Sequence, residues 1–200
     1  MQNSTCARFT RVLDAVVFQP PSIVTHPLAI TPWSDWSLGI PLKRWNQTTS
    51  SAAFSAANMV VYVPFVIPKP VTVTHLFWGN GAGVAGNLDA GIYATDGTLL
   101  TSAGTTAQSG TNRPQNVNIT DLVLDRGCYY MALVVSTLTT LTVHRVAPAA
   151  GICQSMGLLQ QDISGTGLPL ATNASPATFA KYTQAIIPWF GLRCDVGVGL

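Results

Sequence analysis

Residues 58–136 hold nearly all of the strand-forming sequence in this chain, and its clearest turns lie among them. The run Asn87-Leu-Asp-Ala-Gly-Ile-Tyr-Ala-Thr-Asp-Gly-Thr-Leu-Leu100 reads as a β-hairpin. Its two apolar arms flank Asp96 and Gly97, a pair that supplies the φ > 0 backbone of a tight hairpin turn. A second core strand follows at residues 128–136. It is apolar at consecutive positions, as expected of a central strand packed from both sides. Everything before residue 58 reads as an arm, and the region at about 147–185 reads as loop-rich.

Around these two segments the rest of a strand series can be placed. Residues 59–67 form a strand whose Pro64 belongs at an edge or a bulge, because proline has no N–H to give a ladder. Residues 71–78 form the next, ending in bulky rings on both faces. Residues 79–86 are a glycine-rich loop. Residues 115–119 are a short strand, 120–127 a turn bearing Asp121 and Asp125, and 138–146 another strand. Residues 158–175 read as a long loop, Ser175-Pro176 as the start of a short helix running to Tyr182, and 186–195 as a closing strand. Short strands joined by Gly, Asp and Pro turns predict an all-β fold, an antiparallel two-sheet β-sandwich of jelly-roll type.

The arm, residues 1–57, is apolar yet non-helical. A short helix or an extended segment fits residues 5–18. Prolines 20, 21, 27, 32 and 41 then favour extended, polyproline-like backbone. Among them sit Trp33, Trp36, Leu38, Ile40 and Trp45, where a flexible linker would be polar. Such a segment is expected to lie against a surface, either its own sandwich or a neighbouring subunit, and these five are the candidate interface residues, since aromatic side chains are enriched at interface cores.

Composition supports contact with other subunits. The hydrophobic fraction is 48%, but charged residues make up only 9%, against about 25% in typical domains. So few charges leave little to solvate a free surface. All eight acidic residues are Asp, and the absence of Glu weakens helical and hydrolase readings together. The net charge of +2 comes from scattered Arg and Lys, with no basic stripe for nucleic acid. No apolar run reaches membrane-spanning length, and no signal peptide is evident, since Asp14 interrupts the weak apolar run at 12–18.

Candidate chemistry is sparse. Gly81, Gly83 and Gly86 match the spacing G-x-G-x-x-G, but a dinucleotide site needs a helix to begin there, and the next element is β-like. A structural loop is the better reading. His75 and His144 fall in predicted strands and, with Asp89, would form a metal set only if the fold converged them. His26 stands apart. Cys6, Cys128, Cys153 and Cys194 show no metal-ligand spacing, and Cys128, in an apolar strand, is expected as a buried reduced thiol. No catalytic constellation and no cofactor site are read. Trp78 and Trp189 are expected in the core. An exposed tryptophan elsewhere would be able to stack on a sugar ring.

The segments Leu88-Asp-Ala-Gly-Ile-Tyr-Ala-Thr-Asp-Gly-Thr98, Ser102-Ala-Gly104, Ile119-Thr-Asp121 and Leu124-Asp-Arg-Gly-Cys-Tyr-Tyr-Met-Ala-Leu133 resemble β-sandwich structural proteins of tailed bacteriophages. The resemblance covers about residues 58–146. It implies a non-enzymatic virion protein assembled in the host cytoplasm, of the capsid decoration or cement type. Such a protein would act as a homo-oligomer, a trimer being favoured, and would contact the major capsid protein or other virion proteins through its arm. The alternative is a tail or fibre module that holds a host-surface glycan. Neither reading involves nucleic acid, a membrane or a cofactor.

Overall fold

The structure, a computed structural model, describes residues 50–53, 59–67, 69–136, 141–146, 149–155, 157–162, 168–174 and 179–195. They form an all-β antiparallel sandwich. The strands are β1 (Ser50–Ala53), β2 (Met59–Ile67), β3 (Val71–Gly79), β4 (Asn87–Ala94), β5 (Leu99–Ser102), β6 (Thr106–Ala107) and β7 (Pro114–Leu124). They continue with β8 (Gly127–Val135), β9 (Thr142–Val146), β10 (Leu159–Asp162), β11 (Ala180–Lys181), β12 (Ile187–Pro188) and β13 (Phe190–Asp195). One layer has the order β11-β10-β2-β8-β4-β5, with β6 also paired to β4. The facing layer consists of β13-β3-β7 and β1-β9-β12. These two short sheets meet at a bridge between Asn80 and Val143. Trp189 adds to the junction by donating its N–H to His144 O and accepting from Gly79 N–H.

The chain crosses repeatedly between layers, and the pairings β2–β8, β3–β7 and β4–β6 nest one inside another. This is the pattern of a long hairpin folded over on itself, as in a jelly roll. Side-chain alternation then sorts each strand by face. Val61, Val63 and Phe65 of β2, Leu88, Ala90 and Ile92 of β4, and Met131, Leu133 and Val135 of β8 point between the layers. There they meet Val73, Leu76 and Trp78 of β3, Val143 of β9, and Phe190 and Leu192 of β13. A second apolar cluster covers the outer face of the larger sheet, where Val60, Tyr62, Tyr93, Ala132 and Val134 pack with Leu170 and Ala174. The central strand β8 is thus apolar on both faces because both faces are covered.

Several sequence expectations are corrected. Residues 50–53, placed in the arm, form β1 and pair with β9, so the sandwich recruits a strand from that segment. The segment read as a strand followed by a turn at 115–127 is mostly one eleven-residue strand, β7. Its ladder with β3 slips from His75↔Asn118 to Val73↔Leu122, a bulge that breaks the alternation at Thr120 and mimics a turn. The loop expected at 158–175 contains β10, which pairs with Met59–Tyr62 of β2. Tyr182 does not end a helix, because Ala180–Lys181 is a strand, while a short helix, unforeseen, spans Ala150–Ser155.

The hairpin is present, but only Gly97 of the Asp96-Gly97 pair has positive φ, at 91°. Gly97 N–H bonds Ala94 O, and Ala94 N–H bonds Thr98 O, the geometry of a turn closed by a left-handed glycine. Asp96 shapes it from the side: its Oδ1 accepts the Thr98 N–H at 2.9 Å. That hydrogen bond also holds the Asp96 carboxyl below its ordinary pKa.

Pro64 sits where its missing N–H is harmless. It is paired with Tyr130 of β8, and on the other side β10 stops at Tyr62, leaving that stretch of β2 as an edge.

Cys128 is disulfide-bonded rather than a reduced core thiol. Alternation places it on the outer face of the larger sheet, opposite Val66, and it is half-buried.

Among large hydrophobic side chains in the described residues, only Val123 is exposed, at 65%. Replacing fully buried Leu133 with Ala is therefore expected to cost about 2–5 kcal/mol of unfolding free energy in urea titrations. Val123→Ala is expected to stay within about 0.5 kcal/mol.

Candidate functional site

The strip Asp89, Gly91, Tyr93 lies on the outer face of β4, alternate to the core residues Leu88, Ala90 and Ile92. All three positions serve the same partner, the returning segment 168–174. Asp89 Oδ2 accepts the Leu170 N–H at 2.9 Å. The Tyr93 hydroxyl donates to Ala171 O at 2.7 Å. Gly91 leaves the room that Leu170 fills: a Cβ on it would stand 2.8 Å from Leu170 Cδ1 and 2.9 Å from Thr101 O. The hairpin holds the rest of the segment, with Leu99 N–H donating to Thr172 O and Ala174 N–H to Gly97 O. The segment acts as a strap that closes the outer apolar cluster.

Asp89 is fully buried, and burial pushes its carboxyl up to about 6. Hydrogen bonding from Leu170 N–H, together with Gly104, Ser102 and Ala103 nearby, pulls in the opposite direction. That pull is weak at Oδ1, which has no hydrogen bond of good geometry. The nearby backbone donors are already used, Ala103 N–H by Ala90 O and Gly104 N–H by Ser102 Oγ. Burial also raises the hydroxyls of Tyr62 and Tyr93 far above their usual range. Both remain protonated donors, Tyr62 to Gln161 Oε1 at 2.9 Å.

The glycine-rich loop leads into strand β4. It is clamped by side-chain amides and one hydroxyl. Asn80, wholly buried, donates through Nδ2 to Ser109 O at 2.6 Å and to Gln115 Oε1 at 2.9 Å. Gln108 accepts Ala85 N–H and donates to Thr142 O at 2.6 Å. Thr142 Oγ1 both accepts from Gly83 N–H and donates to Gly83 O. Within this network Asn80 Oδ1 is buried without a hydrogen-bond partner.

The other candidates do not converge. His75, on β3, interacts with its neighbour Thr74 through Nδ1 at 2.9 Å. Asp89 lies on the opposite layer, and His144 on β9. Among the described residues no group of three or more His, Cys, Asp or Glu is placed to hold a metal. Asp121 is in β7 rather than in a turn, and the carbonyl of Asp125 accepts from the Tyr129 hydroxyl at 3.0 Å. Trp78 and Trp189 are wholly buried, so neither is a sugar platform. Trp33, Trp36, Leu38, Ile40 and Trp45, with His26, lie outside the described residues. Residue-level reading of the sequence missed the role of Asp89, although a lone acid in an apolar strand was the available signal. No protein-family model and no curated protein matches the chain.

Two measurements test the strap. Because the folded pKa of Asp89, about 6, exceeds the ordinary 3.8, the folded chain holds a proton that the unfolded chain has lost between those values. The resulting stabilisation is full below about pH 4 and disappears as pH rises through 6, on the order of 2–3 kcal/mol. Urea titrations of the wild type minus those of Asp89→Asn should show that loss, and a difference independent of pH would refute it. Gly91→Ala should destabilise by about 1–3 kcal/mol through overpacking. It should also raise amide exchange at residues 168–174.

Proposed function

We propose that this chain is a non-enzymatic structural protein of a phage virion. In this reading it is a decoration or cement protein that stabilises the shell as a homo-oligomer, a trimer, with its arm laid across neighbouring subunits. One observation carries the reading. The described sandwich keeps its large apolar side chains covered, with Val123 the single exposed exception. The 49 residues ahead of β1, in contrast, contain Trp33, Trp36, Leu38, Ile40 and Trp45 among five prolines. Adhesive sequence is concentrated in the arm and withheld from the body.

Two further points support it. The resemblance to phage β-sandwich proteins rests on segments that form β4, β5, β7 and β8, the frame of the larger sheet and its neighbour. A charged fraction of 9% is low for a surface left in water, and many weak contacts repeated over a symmetric shell sum to a stable coat. Assembly would take place in the host cytoplasm, with the major capsid protein or another virion protein as partner. The tail or fibre reading, with a host glycan as ligand, loses two of its five tryptophans to the interior.

Deleting residues 1–45 is the test. The truncated chain is expected to keep the wild-type far-ultraviolet spectrum and cooperative unfolding while losing sedimentation with shells that lack the protein. Full-strength binding by the truncated chain would exclude arm-mediated cementing, and a monomeric mass for the full chain in light scattering would exclude the trimer.

A further inference from the structure

We propose that His75, Asn118 and Arg193 form a binding site for a tetrahedral oxyanion, a phosphate or sulfate group, on the outer face of the β13-β3-β7 sheet. The site originates in an irregularity of β3. Val71 and Val73 point into the core, and so do Leu76 and Trp78, so the alternation slips by one residue between Val73 and Leu76. The ladders locate the slip. β13 pairs Arg193 with His75 and Cys194 with Val73, while β7 pairs Asn118 with His75 and Leu122 with Val73. Thr74 has no partner in either ladder. Strict alternation from Val71 would send His75 inward, and the bulge at Thr74 turns it outward instead, as bulges re-aim side chains.

His75 therefore stands in one cross-strand row, with Asn118 on one side and Arg193 on the other. Both neighbours point outward as well, because Val117, Ile119, Leu192 and Cys194, which flank them in sequence, pack on the core. Adjacent residues of such a row have Cβ atoms about 4.5–5.5 Å apart. A guanidinium, an imidazole and an amide thus come within reach of one anion. Asn118 and Arg193 are exposed and His75 is half-buried. Among the described residues, neither the Arg193 guanidinium nor the Asn118 amide has a hydrogen bond or ion pair. The acids of these strands stand off the row. Asp195 is in register with Thr72, and Asp121 lies in the bulge of β7 beyond Asn118.

Thr74 also orients the imidazole. Its hydroxyl, buried with the rest of the side chain, stands 2.9 Å from His75 Nδ1 and 3.5 Å from Arg193 O. A hydroxyl has a single proton to donate. An anion at the ring selects the tautomer in which Nδ1 accepts that proton and Nε2 carries the N–H given to the anion. Arg193 adds a fork of parallel N–H donors, the geometry that suits phosphate and sulfate oxygens. Asn118 adds an amide donor from the other side. The inference does not depend on the virion reading.

The test is a titration of the full-length, isotope-labelled chain with sodium phosphate, followed by nuclear magnetic resonance at constant ionic strength. Saturable shifts are expected at the His75 ring, the Arg193 Nε–H and the Asn118 side-chain amide. Arg193→Ala should weaken binding about tenfold, the worth of one charge-assisted hydrogen bond. Arg193→Lys keeps the charge without the fork and should fall between the two. Lys181→Ala removes an exposed cation from β11, in the other layer, and should leave the affinity unchanged. Methyl phosphate identifies the source: binding equal to that of phosphate assigns the site to a phosphoryl group on a larger molecule, and weaker binding assigns it to the free ion. Equal shifts in matched sodium chloride, wild-type affinity in Arg193→Ala, or an equal loss in Lys181→Ala overturns the proposal.

Discussion

The structure depends on one constraint: β8 is apolar on both faces and lies in the middle of the larger sheet. A strand of that kind cannot rest against water on either side, because each exposed face would forfeit about 25 cal/mol per Å² of apolar area. The inner face is covered by the second layer through Val73, Leu76, Trp78, Phe190 and Leu192. The outer face requires a separate cover, and the strap at residues 168–174 with Phe179 supplies it. Phe179 stacks on Tyr62 at 4.1 Å and meets Tyr130 edge-on at 5.9 Å, geometries that aromatic rings favour. The loop-rich return of the chain is thus part of the fold.

The motif Asp89-x-Gly91-x-Tyr93 gains a physical meaning from that cover. Its three outward positions provide an acceptor, a space and a donor for one returning segment. The space has a steric origin, since the nearest atoms to a Cβ on Gly91 include a backbone oxygen that cannot move aside cheaply. The acceptor brings a cost, because a carboxylate away from water is unfavourable unless it is fully hydrogen-bonded. One oxygen of Asp89 is satisfied and the other is not, which is why the group favours its neutral form. A segment carried by the resemblance to phage sandwich proteins is therefore first of all a docking strip within the molecule.

The two polar networks divide the labour differently. At one end of the sandwich, neutral amides and a hydroxyl hold the glycine-rich loop, and their strength varies little with pH. At the strap a titratable acid takes part, so the outer cover, unlike the core, is coupled to acidity. The cysteines follow the same division between inner and outer faces, with Cys153 inert in the core and Cys128 engaged on the outer side.

What the sequence determined by itself was local and periodic. Runs rich in β-branched and aromatic residues at 59–67, 71–78, 88–94 and 128–136 gave strands with nearly the observed bounds, because such side chains suit a pleated, packed surface. Gly97 marked the hairpin because only glycine adopts its backbone conformation without strain. Continuous apolar character in β8 announced burial on both faces. What the tertiary structure decided was non-local. The Thr120 bulge, the pairing of β10 with β2, the recruitment of β1 and the parity that sends Cys128 outward all arise from registers between segments distant in sequence. No local propensity encodes them, since they follow from which ladders, taken together, leave the fewest backbone groups and apolar side chains uncovered.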